Sequence, residues 1–393
     1  MYDVKRASYR NEAPWEIPFE RRIKRFRDMK QLGFRMVVYL YERADTSTFR
    51  YRVYNMCRVL ESSAVWYGVY FFEEELEQIE SLLPDISRLI IVRFRWTFEL
   101  DAFVKKAKRN QIPIAFDVDD MIYNSRYLPL VTNTLAVDFK SEADYSYWFS
   151  YIGRIQKTAG LCDCAITTNE FIGKRLSDDL EISHYVVPNF YNREQDIVSD
   201  QYYRQKQRLQ SSEKFVIGYF SGTPSHINDF LTVSAELKML MEEFENIYLR
   251  IVGFMELPDY MRELEQAGRV ERIPLQNFLD LQWEIAQVDV NIIPLLNNEF
   301  TNCKSELKYF EAAIVGTINC AVPTYVYKQL IQQGENGYLC EAGQWYPTLK
   351  ELYQKGISRE MIRAAKKISE ERYAYYHMRP TLEHVLCAME TVK

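Results

Sequence analysis

Short apolar runs alternate with amphipathic stretches along nearly the whole chain, and the series is completed twice. Such alternation is the pattern of parallel sheets covered by helices. In the first series, segments 35–41 (RMVVYLY), 88–94 (RLIIVRF), 112–117 (IPIAFD) and 164–167 (CAIT) read as buried strands, with helical patterns over 49–61 and 73–83 between them. A run at 184–187, followed by Pro188 and Asn189, closes this half. Residues 192–213 lose the buried-strand pattern and read as the connection, partly helical. Strands at 215–220, 248–252, 270–273, 290–294 and 318–321 form the second series. The expected fold class is α/β, with two Rossmann-like, doubly wound domains facing across a cleft. Their spans are 1–195 and 196–375, and a last helix in 376–393, with Pro380 in its first turn, returns to the first domain. Ligands of such sheets bind at the carboxyl ends of the strands.

At 393 residues the chain exceeds one ordinary core. A net charge of -6 without a long basic stripe excludes a nucleic-acid partner. The 29 tyrosines and 22 phenylalanines suit either a sugar-stacking surface or an aromatic core. Cys57, Cys162, Cys164, Cys303, Cys320, Cys340 and Cys387 form no CxxC pair and no disulfide framework, which points to reduced thiols in a cytoplasmic setting. The polar start and the lack of eighteen consecutive apolar residues predict neither a leader nor a membrane span.

Four segments carry candidate chemistry. In 290–323 a buried strand ends at Pro294, a polar loop follows, and a helix is expected to open near Lys304 or Ser305. A helix start offers free amides and about half a positive charge to an anion, and Lys304 would add its own. Glu311, among Ala312, Ala313 and Gly316, can accept from a ribose diol. A capped surface helix, with Lys304 solvated and Glu311 paired to Lys308, fits the residues equally well.

In 216–230 a strand runs into Ser221, Gly222 and Thr223, where a glycine lets backbone approach a phosphate or sugar, and His226 can donate to it. No Gly-Lys-Ser/Thr follows, so this is not a P-loop. In 116–124 the acids Asp117, Asp119 and Asp120 invite a metal. Strand alternation splits them, and the better reading is that Asp119 or Asp120 orients an acceptor hydroxyl or binds local backbone amides; no metal site is expected. In 46–58, Arg50 and Arg52 either meet a phosphate or are exposed on a first helix. A basic amphipathic stretch at 19–32 either docks on the first lobe or lies on an anionic membrane.

These residues resemble a known family. KSELKYFEAAIVGTINCAVPTY followed by GENGYLCEAGQWYPTLKEL is similar to the donor-binding region of glycosyltransferase family 4, whose fold is the two-Rossmann GT-B type. SHYVVPNFYN, CDCAITTNEFIGKRL, IGYFSGTPSHINDF and FDVDDMIY resemble further segments of that family, the last in bacterial polysaccharide-building members. The resemblance implies a sugar transferred from a nucleotide-diphosphate donor to a glycan, lipid-linked or protein hydroxyl. It implies retention at the anomeric carbon, no required metal and no tightly bound cofactor.

By position, Glu311 would bind the donor ribose, while Lys304, Ser305, Glu306 and Leu307 would face the diphosphate or sugar. Ser221, Gly222, Thr223, His226 and Gly253 would line the phosphate loop, and Arg272 and Ile273 would lie near the base. Asp119, Asp120, Lys304 and Glu306 make up the implied catalytic set. The sequence departs from the family at Cys303, where a first glutamate is usual; Glu299 is the nearest substitute. A non-catalytic partner of the same fold and a nucleotide-sugar epimerase are the alternatives. The expected site is cytoplasmic, with contact at the inner membrane face through 19–32.

Overall fold

The computed structural model describes residues 1–9, 13–209, 213–222 and 227–389. Its first sheet contains β1 (Arg35–Tyr41), β2 (Trp66–Phe72), β3 (Ile86–Val92), β4 (Ile114–Val118), β5 (Cys164–Thr167) and β6 (Ser183–Val186), in the order β2-β1-β3-β4-β5-β6. The second contains β7 (Phe215–Ser221), β8 (Ile247–Gly253), β9 (Val270–Ile273), β10 (Val290–Ile293), β11 (Ile318–Ala321) and β12 (Tyr338–Leu339), in the order β12-β11-β10-β7-β8-β9. Every pairing is parallel. Helices cover both faces, which is why strands such as β1 and β7 are buried along nearly their whole length and do not alternate. This is the expected α/β architecture of two doubly wound lobes.

The aromatic run WYGVYFF, absent from the expected strands, forms β2 at the sheet edge. Gly68 lets it lie against the helix Asn55–Leu60, because a Cβ there would stand 3.0 Å from Cys57 Cα. The expected helix at 73–83 is a succession of short turns ending in Pro84. The connection is a full helix, Arg193–Arg208, opened by a capping box between Asn192 and Gln195. It packs on the helix Phe278–Gln287, where Ser199 Oγ donates to Gln282 Oε1 at 2.9 Å.

The lobes are joined on several sides. The helix Tyr375–Ala388 lies on the first lobe, where Arg88 Nε donates to the Leu386 carbonyl at 2.7 Å and Tyr185 donates to that of Ala388 at 3.0 Å. The first nine residues, assigned by sequence to the first domain, lie against the second. Tyr2 N donates to the Gln287 carbonyl at 3.1 Å, and Trp283 Nε1 donates to that of Val4 at 2.7 Å. One apolar core runs continuously from one face of the first sheet into the second lobe. The core on the other face takes in Phe300 and Cys303 from the second lobe. The basic helix Phe19–Gln31 is docked through Phe26 and through Arg22, whose guanidinium pairs with Glu75. Its basic side chains Arg21, Lys24, Arg25 and Arg27 are exposed, and Lys30 is half-buried. No helix among the described residues is long and apolar enough to cross a membrane.

Candidate active site

In each sheet the strand order reverses once, between β1 and β3 and between β7 and β10. Open α/β sheets receive ligands at the carboxyl ends of the strands flanking such a point. At the second of these points β7 ends in Ser221, and Gly222 follows it. Gly222 is exposed, and an added Cβ would meet nothing within 4 Å among the described residues. Gly253, opposite Ser221 in the pairing, has φ 95° and would carry a Cβ only 1.8 Å from the Ser221 carbonyl oxygen. Only glycine fits there. Thr223 and His226 lie outside the described residues.

The helix near 304 opens later than expected, as Leu307–Ala313. A short helix, Glu299–Asn302, precedes it, closed at its start by Asn298 and Thr301 bonding each other's backbone. The chain must turn through 303–306 before it can restart. Lys308 then points back to the carboxyl end of β7, donating to the Phe220 carbonyl. Burial lowers its ammonium to a pKa of about 8, against the pull of Glu311 and Asp229. Lys308, considered in the sequence only as a partner for Glu311, is thus a cation at the carboxyl end of β7. The two make no ion pair; Glu311 instead reaches across the lobe boundary. Tyr51 donates to its Oε1, and Arg50 Nη2 lies 3.5 Å away.

Asp119 and Asp120 sit at the end of β4 on the first lobe. Thr48 Oγ1 donates to Asp119 at 3.1 Å, and Arg93, held at φ 43°, lies 3.5 Å from it. Lys304 Nζ lies 3.4 Å from Asp120 Oδ2. The 303–305 turn is gripped from the same side. Asn169 Nδ2 donates to the carbonyls of Cys303 (3.1 Å) and Lys304 (3.3 Å), and Asn189 Nδ2 donates to Ser305 Oγ at 2.9 Å. Asp120 and Lys304 are therefore brought together, while Ser305 is buried against the first lobe.

The remaining candidates lie elsewhere. Glu306 is buried, its carboxyl raised in pKa by burial although Tyr373 bonds to it, and it faces the second lobe's own helix Arg359–Tyr373. Leu307 is half-buried at the start of its helix. Arg272 is bound by Glu265 and the Met255 carbonyl, next to Ile273 at the end of β9. Arg50 and Arg52 are both buried, so the exposed reading fails. Arg52 grips Asp117 through two bonds of 2.8 and 2.9 Å and also donates to the Val187 carbonyl. Asp117 is thereby withdrawn from any carboxylate cluster, and no group of metal-holding side chains occurs among the described residues. Cys303 fills a slot in the apolar core of the first lobe, where burial raises its thiol pKa. A carboxylate would be strongly disfavoured in that slot. Glu299 is exposed and lies 3.5 Å from Arg175 of the first lobe.

No family model and no curated protein matches the chain. Solved structures do. A glycosyltransferase from Rickettsia africae is 10% identical at a TM-score of 0.61, covering 91% of this chain and 99% of that one. A sucrose-phosphate synthase from Thermosynechococcus elongatus is 13% identical at 0.58, covering 89% and 98%. HepE from Anabaena, solved with UDP, is 12% identical at 0.57, covering 90% and 100%, and has also been solved with UDP-glucose. At these identities the likeness is one of fold: the chain has the two-lobed GT-B architecture these proteins share.

Proposed function

We propose that the protein is a glycosyltransferase that takes a sugar from a nucleotide-diphosphate donor, with UDP-sugars the first candidates because HepE binds UDP and UDP-glucose. The carrying observation is that Lys308 reaches the carboxyl end of β7 while Lys304 lies 3.4 Å from Asp120 of the first lobe. A diphosphate laid along Gly222 would meet Lys308 and draw Lys304 away from Asp120. Asp120 is then free to orient the acceptor hydroxyl beside Asp119. As the bond between the anomeric carbon and the diphosphate oxygen breaks, its electron pair stays on the diphosphate, which Lys304 and Lys308 stabilise. The acceptor oxygen forms the new bond, and its proton passes to the departing diphosphate. The Asp117–Arg52 and Asp119–Arg93 pairings support a reaction without a metal, and retention follows from the same-face proton transfer in this scheme.

The acceptor is a hydroxyl of a glycan, lipid-linked or protein substrate within the cytoplasm, and no tightly bound cofactor takes part. Titration calorimetry with UDP and UDP-sugars tests the reading. Saturable binding that Lys308→Ala weakens is expected; a protein that binds no nucleotide diphosphate is not this enzyme, and the non-catalytic partner would take its place.

A further inference from the structure

A cavity of about 310 Å³ lies at the free edge of the first sheet. Its floor is β2, from Tyr67 to Tyr70, and its walls are the helices Phe19–Gln31 and Asn55–Leu60. Arg21, Arg22, Arg25 and Arg58 line it, together with the single carboxylate Glu61. Arg22 is neutralised by Glu75 behind it. Arg25 and Arg58 share Glu61: Arg25 lies 3.0 Å from one oxygen and Arg58 bonds the other. Arg58 also lies 3.6 Å from Glu194, to which Tyr54 donates. Arg21 is exposed and has no carboxylate partner among the described residues.

Two guanidinium groups that converge on one carboxylate mark a point where an oxyanion fits, since planar forks match carboxylate and phosphate alike. The third, Arg21, supplies charge that Glu61 leaves uncompensated. The rings of Tyr54, Tyr67 and Tyr70 give the rest of the wall an apolar surface for the body of a ligand. We propose that this cavity binds a phosphate group carried by a small organic molecule or a lipid headgroup, with Arg21, Arg25 and Arg58 as its contacts. This assignment stands apart from the transferase reading and needs none of its residues.

The test compares the full chain with Arg21→Gln/Arg25→Gln and with Lys24→Gln/Arg27→Gln, which removes equal charge from the same helix outside the cavity. Equilibrium dialysis with radiolabelled inorganic phosphate is one arm. Sedimentation with vesicles of phosphatidylglycerol in phosphatidylcholine is the other. All four substituted side chains are exposed, so folding is expected to be retained, and circular dichroism checks it. At least a tenfold loss confined to the Arg21/Arg25 variant is expected. Loss in dialysis identifies a free phosphate compound; loss in sedimentation alone identifies a headgroup. Equal loss in both variants means diffuse surface charge, and binding unchanged in the Arg21/Arg25 variant, or absent from the parent in both arms, removes the site.

Discussion

Lys304 Nζ and Asp120 Oδ2 stand 3.4 Å apart although 184 residues separate them, and they link the two lobes. Each is the other's counter-ion while no anion is bound. In the proposed cycle the diphosphate must take the lysine over.

Asp120→Asn separates the two halves of that exchange. An amide leaves Lys304 unpaired, so UDP is expected to bind about fivefold more tightly, the worth of roughly 1 kcal/mol for a part-exposed ion pair. Turnover is expected to fall about 100-fold, the usual loss when a group that orients a reacting atom is displaced. Calorimetry and initial rates read the two effects separately. A variant that loses affinity and keeps its turnover contradicts the scheme.

Lys308 predicts the pH dependence of donor binding. Its ammonium titrates at about 8 in the ligand-free protein, and the diphosphate needs the charged form. Affinity for UDP is therefore expected to be flat below pH 8 and to fall above it, by up to about tenfold per pH unit. Lys308→Ala should bind weakly and lose this slope, whereas Lys308→Arg should bind with no break near pH 8.

The two doubly wound lobes and most of their strands are legible in the sequence because buried parallel strands leave continuous apolar runs. Where the reading failed, the missing information was a partner far along the chain. β2 escaped because tyrosine and tryptophan hide a run that depends on Gly68 meeting Cys57. Arg52 looks like a surface arginine until β4 brings Asp117 to it. The start of the helix at 307, not 304, follows from the Asn298–Thr301 box, whose residue types occur in many loops. Lys308 lies one turn beyond Lys304, and nothing local says that it turns to β7. The departure at Cys303 is explained by its place in the first lobe's core, which no single sequence displays.

Tyr51→Phe tests how much the lobe contact at Glu311 contributes. The hydroxyl is a buried donor to a buried carboxylate, so its removal leaves Glu311 with Arg50 at 3.5 Å as its cross-lobe partner. Stability in urea is expected to drop by about 1–3 kcal/mol, the cost of leaving one buried polar partner unmet. Scattering should at the same time report a larger radius if the lobes part at this contact. No change in either measurement would mean that the contact holds nothing together.

Lys206 gives a stability prediction with a definite sign. It is buried beneath the connecting helix, donating at 2.6 Å to both the Val288 carbonyl and Thr317 Oγ1. Burial lowers its pKa from 10.5 to about 7, only partly opposed by Asp289. Below pH 7 the folded and unfolded chains both hold this proton, so the residue adds no slope. Between about 7 and 10.5 the unfolded chain keeps the proton and the folded chain has released it. Stability must then rise with pH, by up to about 1.4 kcal/mol per unit from this residue. Lys308 contributes in the same direction above about 8, so the comparison has to be with a variant and not with zero. Lys206→Met removes the titrating group and keeps an unbranched side chain in its slot. Its urea midpoint should climb less steeply than the parent's between pH 7 and 9, while the two curves run parallel below pH 6. Parallel curves across the whole range would place the Lys206 proton on the folded chain at neutral pH, and the buried amine would then be an ordinary ammonium held by its two acceptors.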